Sequence, residues 1–290
     1  SESLWGEYKP FTGNPVLANR NLGGYEIQGV GHADLVEDFD GNWWIFHLGF
    51  RQISKWEPFH HLGRETFLMP VDFDENGWFT VAGGVTAKSV ETLRITAKQM
   101  FRKVYTFGDL SSHEWCFLRK FPTDEIVIKA DSLKIKSSPD SDDLNCAGSP
   151  SFAGLRQKEF DMDLSVTVKV TPNSGDCGLT VYMDENHHYD LVCNGKTVNL
   201  MLNVGDIKHP AGTVPINPDF DTVKLGIKSD SIKYSFFADG EKFSTTAQTR
   251  YLSSEVACGF TGVVVGFFSQ NGNGREYATF TDLRLEYVKN

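Results

Sequence analysis

Between Gly31 and Val81 the chain gathers side chains whose types can do chemistry. His32, Asp34 and Glu37 fall within GHADLVED, and His60, His61, Arg64 and Glu65 follow in HHLGRE. An arginine presents a planar fork that can donate two parallel hydrogen bonds to a pair of oxygens. A histidine can orient a ligand, bind a metal or move a proton near neutral pH. Asp34, Glu37 and Glu65 are read as strand-end acids bonded to nearby backbone or paired with Arg64, because most acids in a fold are structural. On residue types alone His32 reads as a histidine satisfied at a strand start, and Arg64 as half of a surface ion pair with Glu65.

The other reactive groups lack a matching spacing. His60-His61 and His187-His188 have no third ligand at metal-binding distance in sequence and read as solvated loop residues. Asp142-Asp143 and the DENHH turn at 184–188 lack the ligand order of a calcium loop. The five cysteines, 116, 146, 177, 193 and 258, are odd in number and without a CxxC pair, so they read as buried free thiols and not as a disulfide or zinc framework. Trp43 and Trp44, being consecutive, point to opposite faces of any strand, so blade packing is the stronger reading for both. Trp78 is a further candidate stacking surface.

The elements that must position these groups are strands. HADLVED alternates up to Val36, DFDGN has the Asp, Asn and Gly chemistry of a tight hairpin turn, and WWIFHLGF is apolar enough to be covered on both faces. TFLMPVDF and WFTV follow, joined by DENG, with Pro70 marking an edge or bulge position. Four antiparallel strands over about fifty residues have the size of a propeller blade. Upstream, WGEY and NPVL within residues 1–23 read as the outer edge of a sheet followed by a loop. Thr86–Tyr105 is polar and basic without Gly or Pro and reads as a connector. From Phe107 onward EIVIKA, SLKIKS, DLSVTVKV, GLTVYMD, YDLVCNG, TVNLMLNV, TVKLGIKS, IKYSFFAD, VVVGFFSQ and TFTDLRLEYV alternate with turn clusters, the pattern of a jelly-roll β-sandwich.

Composition bounds the partners. In 290 residues, 40% hydrophobic and 23% charged content describe a globular chain, and 13% aromatics suit packed sheets and sugar platforms alike. The formal net charge of −10 argues against nucleic acid or an anionic membrane surface as a partner. No run reaches the ~20 apolar residues of a membrane-spanning helix. The first residue is Ser1 with no apolar leader, which leaves the compartment open.

GHADLVED, GNWW, HHLGRETF and DENGW together resemble the last blade of glycoside hydrolase family 43, in its β-xylosidase and α-L-arabinofuranosidase branch. SESLWGEYKPFTGNPVL resembles the end of that family's penultimate blade, and EWCFLR, SPSFAGLRQ and GFTGVVVGFFSQNGNG resemble the branch's appended sandwich. The resemblance implies an all-β chain: the remnant of a five-bladed β-propeller over residues 1–84, a connector over 85–106, and a jelly-roll sandwich over 107–290. It implies inverting hydrolysis of xylosidic or arabinofuranosidic bonds in hemicellulose, in which one carboxylic acid protonates the leaving oxygen while a carboxylate activates water. The family's three catalytic carboxylates sit on blades upstream of the segment matching Ser1. The resemblance therefore implies no catalytic residue in this chain and no turnover without those blades, carried on a missing segment or a separate N-terminal half. It assigns Arg64 to the sugar at the cleavage position, His32 to the channel axis, where it orients site groups or helps hold a hydrated calcium ion, and Phe260 to a wall of the substrate pocket. Xylo- or arabino-oligosaccharides are the implied ligands, and no cofactor beyond a possible calcium ion is implied. The runner-up is a non-catalytic carbohydrate-binding or assembly module built on the sandwich.

Overall fold

The structure, a computed structural model, describes residues 1–81, 104–171 and 173–288. These residues fall into two compact units, one made of residues 1–58 and 64–81, the other of residues 59–63 and 104–288. Most of the predicted connector lies outside the described residues.

The first unit is a four-stranded antiparallel meander in the order β1 (Ile27–Glu37), β2 (Trp43–Arg51), β3 (Glu65–Phe73), β4 (Phe79–Val81). The two predicted hairpin turns form as their residues demand. Gly41 at φ 84° and Gly77 at φ 78° supply the left-handed backbone, and Asp38 and Asp74 close the turns through their carboxylates and main chains. Asp38 also accepts from Trp44 Nε1 at 2.9 Å, and chiefly this bond lowers its pKa to about 2. Pro70 lies one residue before the part of β3 that pairs with β4, where a missing N–H breaks no bond to that strand.

Burial in this unit departs from the pattern expected. In β2, Ile45 and His47 are buried on one face, whereas Phe46 on the other is 43% exposed, so only one face is fully covered. In β1 the alternation of HADLVED produces no inside and outside: Ala33 through Glu37 are all exposed. An edge strand has a neighbour on one side only, and nothing among the described residues of its unit covers its faces. Residues 1–26 form turns without a paired strand, and Leu4, Trp5 and Tyr8 stand exposed where a sheet edge was expected.

The second unit is a two-sheet sandwich. Its strands are β5 (Val104–Tyr105), β6 (Trp115–Cys116), β7 (Ile126–Ile128), β8 (Ser132–Ile135), β9 (Ser151–Arg156), β10 (Asp161–Lys169), β11 (Asp176–Asp184) and β12 (His187–Cys193). They continue with β13 (Thr197–Val204), β14 (Ile207–Pro215), β15 (Thr222–Ser229), β16 (Lys233–Ala238), β17 (Glu241–Gln248), β18 (Val264–Gln270) and β19 (Ala278–Val288). One sheet runs β17-β16-β15-β10-β19-β8-β7, with β5 also on β19, and the other β14-β13-β12-β11-β18-β9-β6. All ten predicted sandwich strands are present.

Strict period-2 patterns build the core between the sheets. Leu164, Val166 and Val168 of β10 face Leu179 and Val181 of β11 and Phe267 of β18 within one cluster of almost fully buried side chains. β19 changes parity midway: Phe280 is inward, Asp282 takes φ 53° in a bulge, and Leu283, Leu285 and Tyr287 then point inward. Cys177 and Cys193 are buried opposite one another on β11 and β12, whereas Cys116 and Cys146 are half-buried and Cys258 is exposed, so the expectation of five buried thiols holds for two.

Strands that the sequence pattern left out have physical excuses. β14 and β17 are sheet edges: IKHPAGTVP carries Pro210 beside a register shift, and EKFSTTAQ is polar on its open face. β9, SFAGLR, is buried almost throughout and shows no alternation.

Candidate functional site

His32 stands on a doubly bulged β1. The ladder to β2 shifts register on either side of Gly31, and His32 takes φ 51°. A left-handed conformation costs a non-glycine residue about 1–2 kcal/mol, and such outliers cluster where a side chain must be re-aimed. His32 is exposed.

Arg64 is exposed immediately before β3. Its expected ion-pair partner is engaged elsewhere: Glu65 accepts a bidentate pair from Arg51, with Nε to Oε2 at 2.8 Å and Nη2 to Oε1 at 2.9 Å. The fork-to-carboxylate bridge ties β2 to the start of β3 and fixes the backbone from which Arg64 projects. Cross-strand register relates the two candidates. Gly31 lies opposite Leu48, and Leu48 opposite Thr66, so His32 follows this row by one residue on β1 and Arg64 precedes it by two residues, just before β3. Two inter-strand spacings separate those strands, about 10 Å. Along the strand direction they diverge: His32 lies one residue past that row, in the middle of β1, and Arg64 two residues before it, ahead of β3, a further separation of about 10 Å. Asp34 and Glu37 are exposed along β1.

The three candidate tryptophans pack. Trp44 is 8% exposed and bonded to Asp38, Trp43 leans on the Ile45–Met69–Val71–Val81 cluster, and Trp78 stacks on Phe11 with ring centroids 4.6 Å apart.

In the second unit the two histidine pairs correct the sequence reading. His60 and His61 are buried at 6% and 0% exposure, not solvated. His60 Nδ1 meets Glu255 Oε1 at 2.6 Å, and the His60 N–H donates to Glu255 Oε2 at 3.0 Å. The Val263 N–H donates to the His61 carbonyl at 2.8 Å, and the His61 ring sits among Phe160 and Tyr234. His188 is likewise wholly buried, in β12, with Nδ1 at 2.8 Å from Asp190 Oδ2. His187 is half-buried and bonds Asp184 within the DENHH turn. Both errors have one cause: polar residues adjacent in sequence look like a loop until distant strands close over them.

Residues 59–63 are held so tightly that two glycines become obligatory. Gly63 at φ 78° and Gly262 at φ 71° cross back to back. A Cβ on Gly262 would lie 2.2 Å from the Leu62 carbonyl oxygen, and one on Gly63 would lie 2.5 Å from the Gly262 nitrogen. The HHLG and GFTG motifs are thus two halves of one contact. Phe260, the second residue of GFTG, is 64% exposed in a run where Cys258, Gly259 and Gly262 all have positive φ.

Asp142 and Asp143 accept main-chain N–H groups of Ser149 and Asn145, a turn-closing role. Among the described residues no three His, Cys, Asp or Glu side chains are grouped to hold a metal, and no helix is long and apolar enough to cross a membrane.

Comparison with known proteins gives this architecture a context. Residues 1–79 match the sequence profile of glycosyl hydrolases family 43, and residues 108–286 match that of a beta xylosidase C-terminal concanavalin A-like domain. A non-reducing end alpha-L-arabinofuranosidase of Bacteroides ovatus is 33% identical over 95% of this chain and 54% of its own length. A xylosidase/arabinosidase of Butyrivibrio fibrisolvens is 28% identical over 97% of this chain and 58% of its own. Among solved structures, one from the Bacteroides ovatus xyloglucan locus superposes with a TM-score of 0.85 at 31% identity, covering 99% of this chain and 59% of that one. The chain spans about half the length of the curated relatives it matches.

Proposed function

This chain belongs to glycoside hydrolase family 43, and from that premise we propose that it supplies substrate-binding, not proton-transferring, residues to an inverting hydrolase of xylosidic or arabinofuranosidic bonds. Its fold is the remnant of a five-bladed propeller followed by a jelly-roll sandwich. The observation that supports the reading is that His32 and Arg64 both stand exposed on the blade, His32 on the double bulge of β1 and Arg64 immediately before β3, within the two segments that resemble the family most specifically.

In this reading the Arg64 fork grips two sugar oxygens at the cleavage position, with Arg51–Glu65 holding the strand from which it reaches. His32, re-aimed by its bulge, donates to or accepts from a site group or a bound water. Phe260 offers an exposed apolar ring to the sugar, a role that rests on the resemblance of its GFTG segment. The acid and the base, about 6.5–9.5 Å apart in an inverting enzyme to admit a water, are assigned to blades upstream of the segment that matches Ser1. Asp34, Glu37 and Glu65 are assigned no proton transfer.

Calcium takes oxygen ligands, six to eight of them, so His32 would serve a calcium ion by bonding to the ion's waters and not to the ion. Among the described residues no three His, Cys, Asp or Glu side chains are grouped to hold the ion directly.

The test is turnover of 4-nitrophenyl α-L-arabinofuranoside and β-D-xyloside. The 290-residue chain alone should show none above background, and adding a polypeptide that carries the upstream blades should restore it. In the restored enzyme Arg64→Ala should lower kcat/KM roughly 10²-fold, about 3 kcal/mol, the loss of charged hydrogen bonds to the sugar. Turnover by the isolated chain would overturn the assignment.

A further inference from the structure

The seven-stranded sheet of the sandwich turns one face to the core, and its other face carries a polar array that the proposed function does not use. Leu191 of β12 and Leu200 of β13 point into the core, so Asp190 on β12 and Asn199, Met201 and Asn203 on β13 point away from it. An outward sheet face is ordinarily solvated, yet Asp190 is 5% exposed and Asn203 3%. They form one network: His188 Nδ1 lies 2.9 and 2.8 Å from the two Asp190 oxygens, and Asn203 Nδ2 donates to Asp190 Oδ2 at 3.2 Å. Asn199 is likewise fixed, accepting from Thr213 Oγ1 at 2.9 Å.

A groove of about 290 Å³ opens over these side chains, walled by Leu144 and Asn145 and rimmed by Lys208 of β14. Burying polar groups is costly unless each finds a partner, and here several do not. Asn145 Oδ1 and the His188 and Thr180 side-chain atoms Nε2 and Oγ1 are enclosed on this side of the sheet without a hydrogen bond. The polar side chains lie on paired strands and are locked by mutual bonds, which is the construction of a preorganised site.

We propose that this groove is a saccharide-binding site separate from Arg64. Carboxylate and amide oxygens accept while amide and ammonium groups donate, as neighbouring hydroxyls of a sugar require. Val192 and Met201 lie between them and suit the C–H faces of a ring. One carboxylate and one ammonium cancel, which fits a neutral ligand better than a phosphate. The volume, at the lower edge of small-molecule sites, takes one or two rings. That the rings are pentoses rests on the function proposed above; that they are sugars does not.

The experiment is isothermal titration of the full 290-residue chain with xylotetraose, and separately with cellotetraose. Saturable xylotetraose binding that survives Arg64→Ala and weakens about tenfold in Asn199→Ala and in Lys208→Ala supports the site. Lys208 is exposed, so its variant keeps the test valid if Asn199→Ala misfolds, with circular dichroism melting as the check. Binding of cellotetraose alone, lost in the same variants, upholds the groove and removes the pentose assignment. No saturable binding, binding abolished by Arg64→Ala, or binding unchanged in both groove variants overturns the proposal.

Discussion

Removing Glu255 should release residues 59–63 from the sandwich that encloses them. Glu255 receives two bonds from His60, at 2.6 and 3.0 Å, and a hydrogen bond to an ionised acceptor contributes about 1.5–3 kcal/mol. Because the Glu255 side chain keeps 29% of its exposure, water replaces part of what is lost, and the net effect of Glu255→Ala should be about 2 kcal/mol. Glu255→Gln keeps an acceptor without the charge and should cost about half of that. Hydrogen exchange at the His60 and Val263 amides reads this opening directly, since both are bonded within the same contact. About 2 kcal/mol corresponds to exchange roughly 30-fold faster in Glu255→Ala. The contribution also has a pH signature. Burial pushes the Glu255 carboxyl up, but the bonds from His60 outweigh it and hold the group below the usual glutamate range. A depressed carboxylate stabilises fully above its unfolded value of about 4.3 and loses that contribution as pH falls through the folded value. The difference between the native chain and Glu255→Gln should therefore be present at pH 6 and fade below pH 4. Exchange at these amides unchanged in Glu255→Ala, or a difference that grows on acidification, would refute the reasoning.

Gly262→Ala should lower the thermal midpoint by more than Gly240→Ala. Both residues have left-handed φ, but the added Cβ meets the Leu62 carbonyl at 2.2 Å in the first case and nothing within 4 Å in the second. The strain common to both is about 1 kcal/mol, and the excess in Gly262→Ala measures the backbone crossing by calorimetry. Tyr234→Phe should destabilise the sandwich by about 1–3 kcal/mol in urea unfolding, because it leaves the buried Gln157 Oε1 without the hydroxyl now 2.8 Å away. Asp38 should titrate near pH 2 by NMR, and Trp44→Phe should return it toward the ordinary aspartate range by removing its largest hydrogen-bond cause.

Much of the architecture was legible because strands and tight turns are local. Period-2 alternation in SVTVKV and hairpin chemistry in DFDGN and DENG are written within a few residues, and each appears where its pattern lies. What failed was anything set by a neighbour: β14 and β17 at sheet edges, HADLVED without a covering layer among the described residues of its unit, and Glu65, which bonds Arg51 fourteen positions away instead of the adjacent Arg64. The candidate site divides in the same manner. His32 and Arg64 were found through motifs around them, but the register across β2 that sets their spacing, and the bulge that re-aims His32, are properties of the folded sheet.

The histidines show the boundary most plainly. His60-His61 and His187-His188 have the same local appearance as any polar turn, and local composition is all that a periodicity can weigh. Burial of His60 depends on Glu255, 195 residues further along the chain, and the His188–Asp190–Asn203 network depends on two strands pairing in one register and not its neighbour. A one-residue slip would turn those side chains to the core. Residue types and spacings determined that this chain is β-structured, where its hairpins turn and which segments carry the family resemblance. Which polar groups are enclosed, and with what partners, was decided by contacts between positions distant in sequence, whose energies exist only once the sheets have closed.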